Sequence, residues 1–354
     1  MKKQIVTIAA LAMSLNMFAQ QWPVPNQEAK PGTRWWWLGS AVTENDLKWN
    51  LRQFADHGIG AIEITPIYGV QGNEKNNIPF LSPRYMDILK YVNAECKADG
   101  IEFDMATGTG WPFGGPWVPL DESASQMLII DTTVVGKKIK ALDLRPIEKK
   151  RKNTTLVGIY AFSEGKFLKI TTPLVEGTLT TKLPSKGTWR IIALYQKKGV
   201  MAVKRAAPGG AGLVIDHFDK QAVTNYLKHI KEAFEKTGTP YPHTFFNDSY
   251  EVSESDYTPT LFQEFYNRRG YSLEENFDKL VDGDTKVVAD YRETLGDMLL
   301  DNFTRTWTAW AHSHGAITRN QAHGSPANLI DCYAAVDIPE IEGFGLTNFG
   351  IKGL

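Results

Sequence analysis

The sequence has few cysteines, almost no net charge and no apolar run long enough to cross a bilayer. Only two of its 354 residues are cysteines, Cys96 and Cys332, and both fall in apolar-periodic helical segments. They are therefore predicted to be buried thiols and not parts of a disulfide framework. The formal net charge of -1 argues against a nucleic-acid partner, which would require a basic surface.

The N-terminal segment has the pattern of a secretory signal peptide. Lys2 and Lys3 precede a mostly apolar run from Ile5 to Leu15. This run has eleven residues, far fewer than the roughly 20 of a membrane span. We expect residues 1–20 to be a signal peptide cut near Ala19, and the mature protein to be exported to the periplasm or secreted.

Strands and helices alternate in residues 31–126, which we predict to be the first part of a (β/α) barrel. The strands are "TRWWWLG" (33–39), "AIEITPIYG" (61–69) and "IEFDMATG" (101–108). Thr43 is a candidate N-cap for the first helix, and Ser82-Pro83 opens the second.

Residues 127–210 interrupt this pattern with short β-branched runs, including "LVGIYAF" and "TWRIIALYQ". The turn sequences "SEGK" and "SKGT" resemble hairpin signals. We predict a β-rich insert after the third strand.

The alternation resumes in residues 211–354. Strands are predicted at 243–251 and 316–324, a sixth is possible at 337–345, and helices are predicted at 259–269, 285–312 and 327–335. No glycine-rich phosphate loop follows any strand, which favours an α/β barrel over a doubly wound sheet. A (β/α)8 barrel needs eight strands, so we expect this one to be incomplete.

Acidic and aromatic residues gather at the predicted carboxyl ends of the strands, where such barrels place their catalytic groups. This combination is typical of sugar chemistry, because aromatic faces stack on sugar rings and paired carboxyls move protons. The alternative for each single acid is a helix cap or a surface position. The candidates are Trp37, Glu63, Asp104, Asp248, Glu251, His323, Glu340 and Glu342.

Other site types have weaker support. His312 and His314 lie two residues apart at a helix end, and residues at this spacing do not share a helical face. No elbow motif announces a Ser or Cys nucleophile. The loop "GTGWPFGGPW" (108–117) contains Trp111. It is either a rigid turn or a place where backbone can approach a ligand closely.

Three tryptophans in a row raise the question of which one faces a ligand. In a strand, Trp35 and Trp37 share one face and Trp36 takes the other. We expect Trp37, nearest the strand end, to form the wall of a sugar pocket. The alternative is that it packs in the core.

Together these motifs resemble glycoside hydrolase family 106, the bacterial α-L-rhamnosidases. The resemblance runs from about residue 31 to the end, and the motifs appear in the family's order. They are "RWWWLGSAVT", "GIGAIEI", "DMATGTGWPFGGPW", "APGGAGLVIDHF", "FNDSYE" and "RNQAHGSPANLIDCYAAVDIPEIE".

The resemblance implies a (β/α)8 catalytic barrel and inverting hydrolysis of rhamnose linkages in plant polysaccharides or glycosides, with calcium in or near the site. It implies Glu251 as general acid, with Asp248 beside it, and Glu340 as a site acid. Glu340 is either the second catalytic carboxyl or a residue that binds sugar or calcium. Arg319 and His323 would bind sugar hydroxyls.

Family members are much longer, so we expect the chain to be truncated. The alternatives to a rhamnosidase are a catalytically impaired sugar-binding remnant and a barrel glycosidase of other specificity.

Overall fold

In a computed structural model, which describes residues 25–341, the first part of the chain alternates strands with helices. Its elements are β1 (Gly32–Leu38), α1 (Glu44–Asp56), β2 (Ala61–Ile67), α2 (Pro83–Asp99) and β3 (Glu102–Ala106). Both helices start as predicted: the hydroxyl of Thr43 accepts from the backbone N–H of Asp46 at 3.3 Å, and that of Ser82 from Tyr85 at 3.2 Å. The predicted signal peptide lies outside the described residues.

Antiparallel strands follow. They are β4 (Gly114–Gly115), β5 (Ser125–Val135), β6 (Lys138–Asp143), β7 (Thr154–Ser163), β8 (Lys166–Ile170), β9 (Thr178–Lys182), β10 (Thr188–Lys198) and β11 (Leu213–Val214). The main sheet here has the order β5-β10-β7-β8, and β6 pairs with β9. "SEGK" forms the predicted hairpin between β7 and β8. "SKGT" connects β9 to β10 but does not form a hairpin, because β10 pairs with β5 and β7 whereas β9 pairs with β6.

Helices and parallel strands then return. They are α3 (Lys220–Thr237), β12 (Thr244–Asn247), α4 (Leu261–Arg269), α5 (Phe277–Asp282), α6 (Thr285–Met298), α7 (Arg305–Ser313), β13 (Ile317–Asn320), α8 (Leu329–Ala334) and β14 (Ile338–Pro339). A π-helical segment, Leu299–Thr304, joins α6 to α7. The predicted long helix at 285–312 is therefore continuous, with a π turn in its middle.

The parallel strands form one sheet with the order β1-β2-β3-β12-β13-β14. Within residues 25–341, β1 pairs only with β2 and β14 only with β13, so this part of the chain forms an open sheet. The fold is mixed α/β with a parallel sheet, and residues 25–341 do not show the closure that defines a barrel.

The helix-facing side of the parallel sheet and the helices share one apolar core, and the antiparallel sheet has a second. Cys96 and Cys332 are buried free thiols, as predicted. None of the helices in residues 25–341 combines the length and the apolar character needed to cross a membrane.

Candidate active site

The parallel sheet has one apolar face and one charged face. Residues paired in register on parallel strands point to the same side. Arg34 pairs with Glu63, which pairs with Asp104, and Phe246 pairs with Arg319. These five side chains therefore lie on the face away from the helices. On the other face, Ile64, Met105 and Phe245 are completely buried in the helix-packed core.

Glu63 lies at the centre of the charged face and joins two arginines. Its carboxylate is 3.1 Å from the Nε of Arg34, and it also contacts the guanidinium of Arg319. The hydroxyl of Thr65 donates to Glu63 at 2.6 Å. Because Glu63 is only 2% exposed, we interpret it as a group that positions the two arginines and does not itself reach a ligand.

The same arginines hold three further carboxylates. Arg34 donates to Asp248 at 3.2 Å. The Nε of Arg319 lies 3.0 Å from Glu340, and its Nη1 lies 3.8 Å from Asp104. Five residues that the sequence suggested separately, Glu63, Asp104, Asp248, Arg319 and Glu340, therefore meet in one cluster.

This cluster holds more negative than positive charge, since two guanidiniums face four carboxylates. An excess of like charge disfavours full ionisation. Burial raises the pKa of Glu63, against the opposing effect of Arg34 and Arg319, and the nearby Glu340 raises it further.

The ring of Phe246 packs against the guanidiniums of both Arg34 and Arg319. The Cζ of Arg34 lies 4.5 Å from the centre of its ring, and that of Arg319 lies 5.0 Å from it. Cation–π contacts of this kind are attractive. Gln321 completes the arrangement by donating to Glu340 at 2.7 Å, so the Glu340 carboxylate is oriented from two sides.

Glu251 lies beside the cluster and has its own cation. Its carboxylate accepts from Lys204 at 2.6 Å and from Ser249 at 3.3 Å, and the backbone N–H of Ser249 also donates to Asp248. Burial is the largest single effect and acts to raise the pKa of Glu251, but the hydrogen bonds from Lys204, Trp111 and Ser249 and the charge of Lys204 together hold the pKa below its usual value. Lys204 therefore favours the ionised form of Glu251 in this arrangement.

The tryptophans divide between the faces, and the prediction for Trp37 needs correction. Trp37 is 1% exposed and packs edge-on against Trp35 and Tyr85. Trp36 is 40% exposed and lies over the guanidinium of Arg34 at 5.3 Å. The alternation was predicted correctly, but the helices cover the face of Trp35 and Trp37, so Trp36 is the most exposed of the three.

Trp111 comes close to Trp36, with 6.4 Å between ring centres. Its loop is held tightly: Gly110 has a φ of 58°, and a Cβ at that position would lie 1.9 Å from the carbonyl oxygen of Lys204. Only glycine fits there. The peptide bond between Trp111 and Pro112 is cis.

A cavity of about 450 Å³ opens between these aromatic residues. We call it the aromatic groove. It is lined by Trp36, Leu38, Ile67, Tyr68, Trp111 and Arg205. Its walls belong to the carboxyl ends of β1 and β2 and to two loops, so it adjoins the carboxylate cluster.

The remaining candidates are His323, Glu342 and His312. His323 is exposed, and its backbone carbonyl accepts from the N–H of Tyr250 at 2.8 Å. Glu342 lies outside the described residues. His312 binds Asp337 at 2.9 Å, so this histidine has a structural partner.

Calcium, which the resemblance implies, stays a prediction. Residues 25–341 contain no group of three or more His, Cys, Asp or Glu side chains placed to hold a metal ion. In the cluster, Arg34 and Arg319 occupy the carboxylates that a cation would need.

Sequence reasoning missed Arg34, Phe246, Gln321, Lys204 and Trp36. Arg34 and Trp36 could have been found, because alternation places them on the same face of "TRWWWLG". Lys204 could not, because its contact with Glu251 spans 47 positions between two loops.

Comparisons with known proteins identify the family of this chain. A family model described as alpha-L-rhamnosidase matches residues 23–166 and 159–340. The chain is 24% identical to a putative beta-glucuronidase from Formosa agariphila, over 89% of this chain and 31% of that protein.

A solved rhamnosidase from Novosphingobium sp. PP1Y has a similar fold, with a TM-score of 0.71 and 16% identity over 88% of this chain and 48% of that one. The chain thus spans about a third of the length of the curated relative and about half of the solved structure. Because the family model covers most of its length, the chain belongs to glycoside hydrolase family 106, the α-L-rhamnosidase family.

Proposed function

We propose that this chain carries the catalytic carboxylates of an exported glycoside hydrolase that cleaves α-L-rhamnosides in plant polysaccharides or glycosides. The observation that carries the proposal is the carboxylate cluster. Asp248 and Glu340 stand at the carboxyl end of the parallel sheet, beside exposed aromatic side chains. Carboxyl pairs and aromatic surfaces are what glycosidic hydrolysis requires.

In the proposed reaction Glu251 is the general acid and protonates the leaving oxygen. Lys204 must separate from Glu251 as the glycan enters, because their ion pair favours the ionised form. A general acid needs its proton at the working pH. Entry of an uncharged sugar next to Glu251 would both displace Lys204 and bury the carboxyl, and both changes raise its pKa.

Glu340 is the proposed general base, which activates water on the opposite side of the sugar. Arg319 and Gln321 orient its carboxylate. In the proposed single displacement the anomeric configuration inverts, because water attacks opposite the leaving group. NMR of the first product would show β-L-rhamnose if the enzyme inverts and α-L-rhamnose if it retains.

The parallel sheet is also proposed to belong to a (β/α)8 barrel. Residues 31–126 and 211–354 would form the barrel, and a β-rich unit at 127–210 would separate these two parts in the sequence. Residues 1–20 are proposed to direct export.

A second candidate activity is β-glucuronidase, because the curated relative from Formosa agariphila carries the name putative beta-glucuronidase. A panel of 4-nitrophenyl α-L-rhamnoside, β-D-glucuronide and β-D-galactoside separates the possibilities. We expect turnover of the rhamnoside alone. Turnover of the glucuronide alone would replace the proposal with the second candidate. Binding of rhamnose without turnover of any substrate would indicate a sugar-binding protein.

A further inference from the structure

Arg205, at the wall of the aromatic groove, differs from the other cations around the site. Arg34, Arg319 and Lys204 each pair with carboxylates. Within residues 25–341, no ion pair between Arg205 and a carboxylate is found. In that part of the chain its guanidinium contacts the Tyr68 hydroxyl at 3.4 Å and two aromatic rings. It is therefore the cation of this region that is available to a ligand.

The aromatic rings hold the Arg205 guanidinium over the groove. Its Cζ lies 5.4 Å from the ring centre of Trp111 and 5.8 Å from that of Tyr68. Stacking on rings orients the planar guanidinium without consuming its hydrogen-bond donors in an ion pair. One of its five N–H groups donates to the Tyr68 hydroxyl, and the other four are presented beside exposed apolar surface.

The backbone of Arg205 is fixed in an unusual conformation. Its φ is 55°, a value that costs energy for a residue other than glycine and that occurs often at functional sites. The carbonyl of Arg205 accepts from the N–H of Tyr68 at 3.1 Å, and Lys204 exchanges backbone hydrogen bonds with Trp111 at 2.8 and 3.1 Å. Neighbouring segments therefore hold Arg205 in place before any ligand arrives.

From this arrangement we propose that the aromatic groove binds a sugar residue that carries an anionic substituent. Trp36, Trp111 and Tyr68 contact the sugar ring, and Arg205 binds the anion. The anion is the carboxylate of a uronic acid or a sulfate ester, since a guanidinium binds either through paired N–H groups. This inference rests on the proposed function, because it makes the acidic sugar the neighbour of the cleaved rhamnose in the glycan.

The volume of the groove supports one bound sugar residue with its substituent. At about 450 Å³, it lies within the range of small-molecule sites. Its lining is aromatic and aliphatic apart from Arg205 and the Tyr68 hydroxyl. One cation in an otherwise uncharged lining selects for one negative charge.

The test uses S-linked disaccharides, which are not hydrolysed, and measures Kd by titration calorimetry. The probes are α-L-rhamnosyl-(1→4)-glucuronate, its neutral glucose counterpart, and the glucose 6-sulfate form. We expect the native protein to bind at least one acidic probe about tenfold tighter than the neutral one, the size of effect a single charge-assisted hydrogen bond supplies. The tighter acidic probe identifies the substituent as carboxylate or sulfate.

Variants of Arg205 decide whether this residue is responsible. Arg205→Gln should remove the preference for the acidic probe and leave the Kd of the neutral probe nearly unchanged. Arg205→Lys should retain part of the preference, since it keeps the charge and loses the planar fork. Arg52→Gln is the matched control, because Arg52 is an exposed arginine on α1 that pairs with Asp56 and Asp99, and it should keep the full preference.

The inference is overturned if the native protein binds acidic and neutral probes equally or binds neither acidic probe, or if Arg205→Gln keeps the preference. Turnover of neutral 4-nitrophenyl α-L-rhamnoside is measured in parallel. If the proposed function is wrong, this substrate is not turned over although the protein still prefers the acidic probe. Failure of this inference alone would appear as turnover without the preference.

Discussion

At the scale of single residues, Trp36 and Trp37 give a direct comparison of an exposed and a buried tryptophan on one strand. We expect Trp36→Ala to weaken the binding of rhamnoside substrates and to change the free energy of unfolding little, because Trp36 is 40% exposed. Trp37→Ala should cost about 3–5 kcal/mol of stability. Denaturant unfolding and substrate KM measured on both variants check this, and a stable Trp37→Ala protein with weakened binding would reverse the assignment.

Lys204 is expected to control the protonation of Glu251. Replacing it with methionine removes the charge that lowers the pKa of Glu251 and should raise that pKa. If Glu251 is the general acid, it then keeps its proton to higher pH, and the alkaline limb of the kcat/KM profile moves upward. Lys204→Arg, which keeps the charge, is the control.

The direction of that shift also distinguishes the acid from the base. A general base works in its ionised form, so a raised pKa would move the acidic limb of the profile to higher pH and leave the alkaline limb in place. Such a result for Lys204→Met would assign Glu251 as the base.

Asp216 should make stability depend on pH. Burial raises its pKa to about 7, whereas an unfolded Asp titrates near 3.9. Between these values the folded protein binds more protons than the unfolded chain, so stability falls as pH rises from about 4 to 7. Asp216→Asn keeps the oxygen that accepts from the N–H of Phe218 and removes this titration.

We therefore expect Asp216→Asn to gain stability relative to the native protein as pH rises from 5 to 8. Burial lowers the pKa of the adjacent His217 to about 3, which costs stability as pH falls below its unfolded pKa of about 6.5. That contribution is present in both proteins and cancels in the difference. Thermal unfolding of both proteins across this range is the measurement, and a difference that does not vary with pH would contradict the expectation.

At the scale of elements, Glu63 ties strands together that are distant in sequence. Through the two arginines it links β2 to β1 and to β13. Glu63→Gln should cost about 1–3 kcal/mol, as expected for weakening buried hydrogen bonds to charged groups, and should lower kcat by disordering Arg319 and Glu340. Glu44→Gln, which breaks an exposed pair with Arg84, should have no measurable effect. Equal stability of the two variants would show that Glu63 does not hold the sheet.

The elements were predictable from sequence to the extent that local patterns define them. The N-caps at Thr43 and Ser82 and the hairpin at "SEGK" follow from residues next to one another in the chain. The alternation of side chains along a strand predicted which tryptophans share a face, but it did not predict which face the helices cover. That choice depends on packing between β1 and helices elsewhere in the sequence, including the contact of Trp37 with Tyr85.

The acidic residues of the candidate site could be predicted from the sequence, but the ion pairs that they form could not. Position at a strand end pointed to Glu63, Asp104, Asp248 and Glu340. The ion pair between Arg34 and Asp248 spans 214 positions, and only the order of strands in the sheet brings these two residues together. The pairing of β10 with β5 and β7, where "SKGT" suggested a hairpin, was likewise decided by partners distant in sequence.

At the scale of the whole molecule, the antiparallel sheet is fixed to the segment that follows β12. The hydroxyl of Tyr160 donates to Glu274 at 2.9 Å, Lys169 binds the same carboxylate at 2.7 Å, and Arg190 binds Asp282 at 2.8 Å. These contacts connect β7, β8 and β10 with the segment around α5. The β-rich unit is therefore packed against the parallel-sheet part and not joined to it by chain connections alone.

Hydrolysis by Glu251→Gln of two rhamnosides with different leaving groups tests the central claim most directly. On a substrate with a poor leaving group, such as a rhamnosyl disaccharide, we expect kcat/KM to fall roughly 10²–10⁴-fold, because the leaving oxygen must be protonated. On 2,4-dinitrophenyl α-L-rhamnoside, whose leaving group needs little protonation, the loss should be much smaller. Glu254→Gln, an exposed acid on the same loop, should match the native protein on both substrates. Equal and small losses for Glu251→Gln on both substrates would contradict the account.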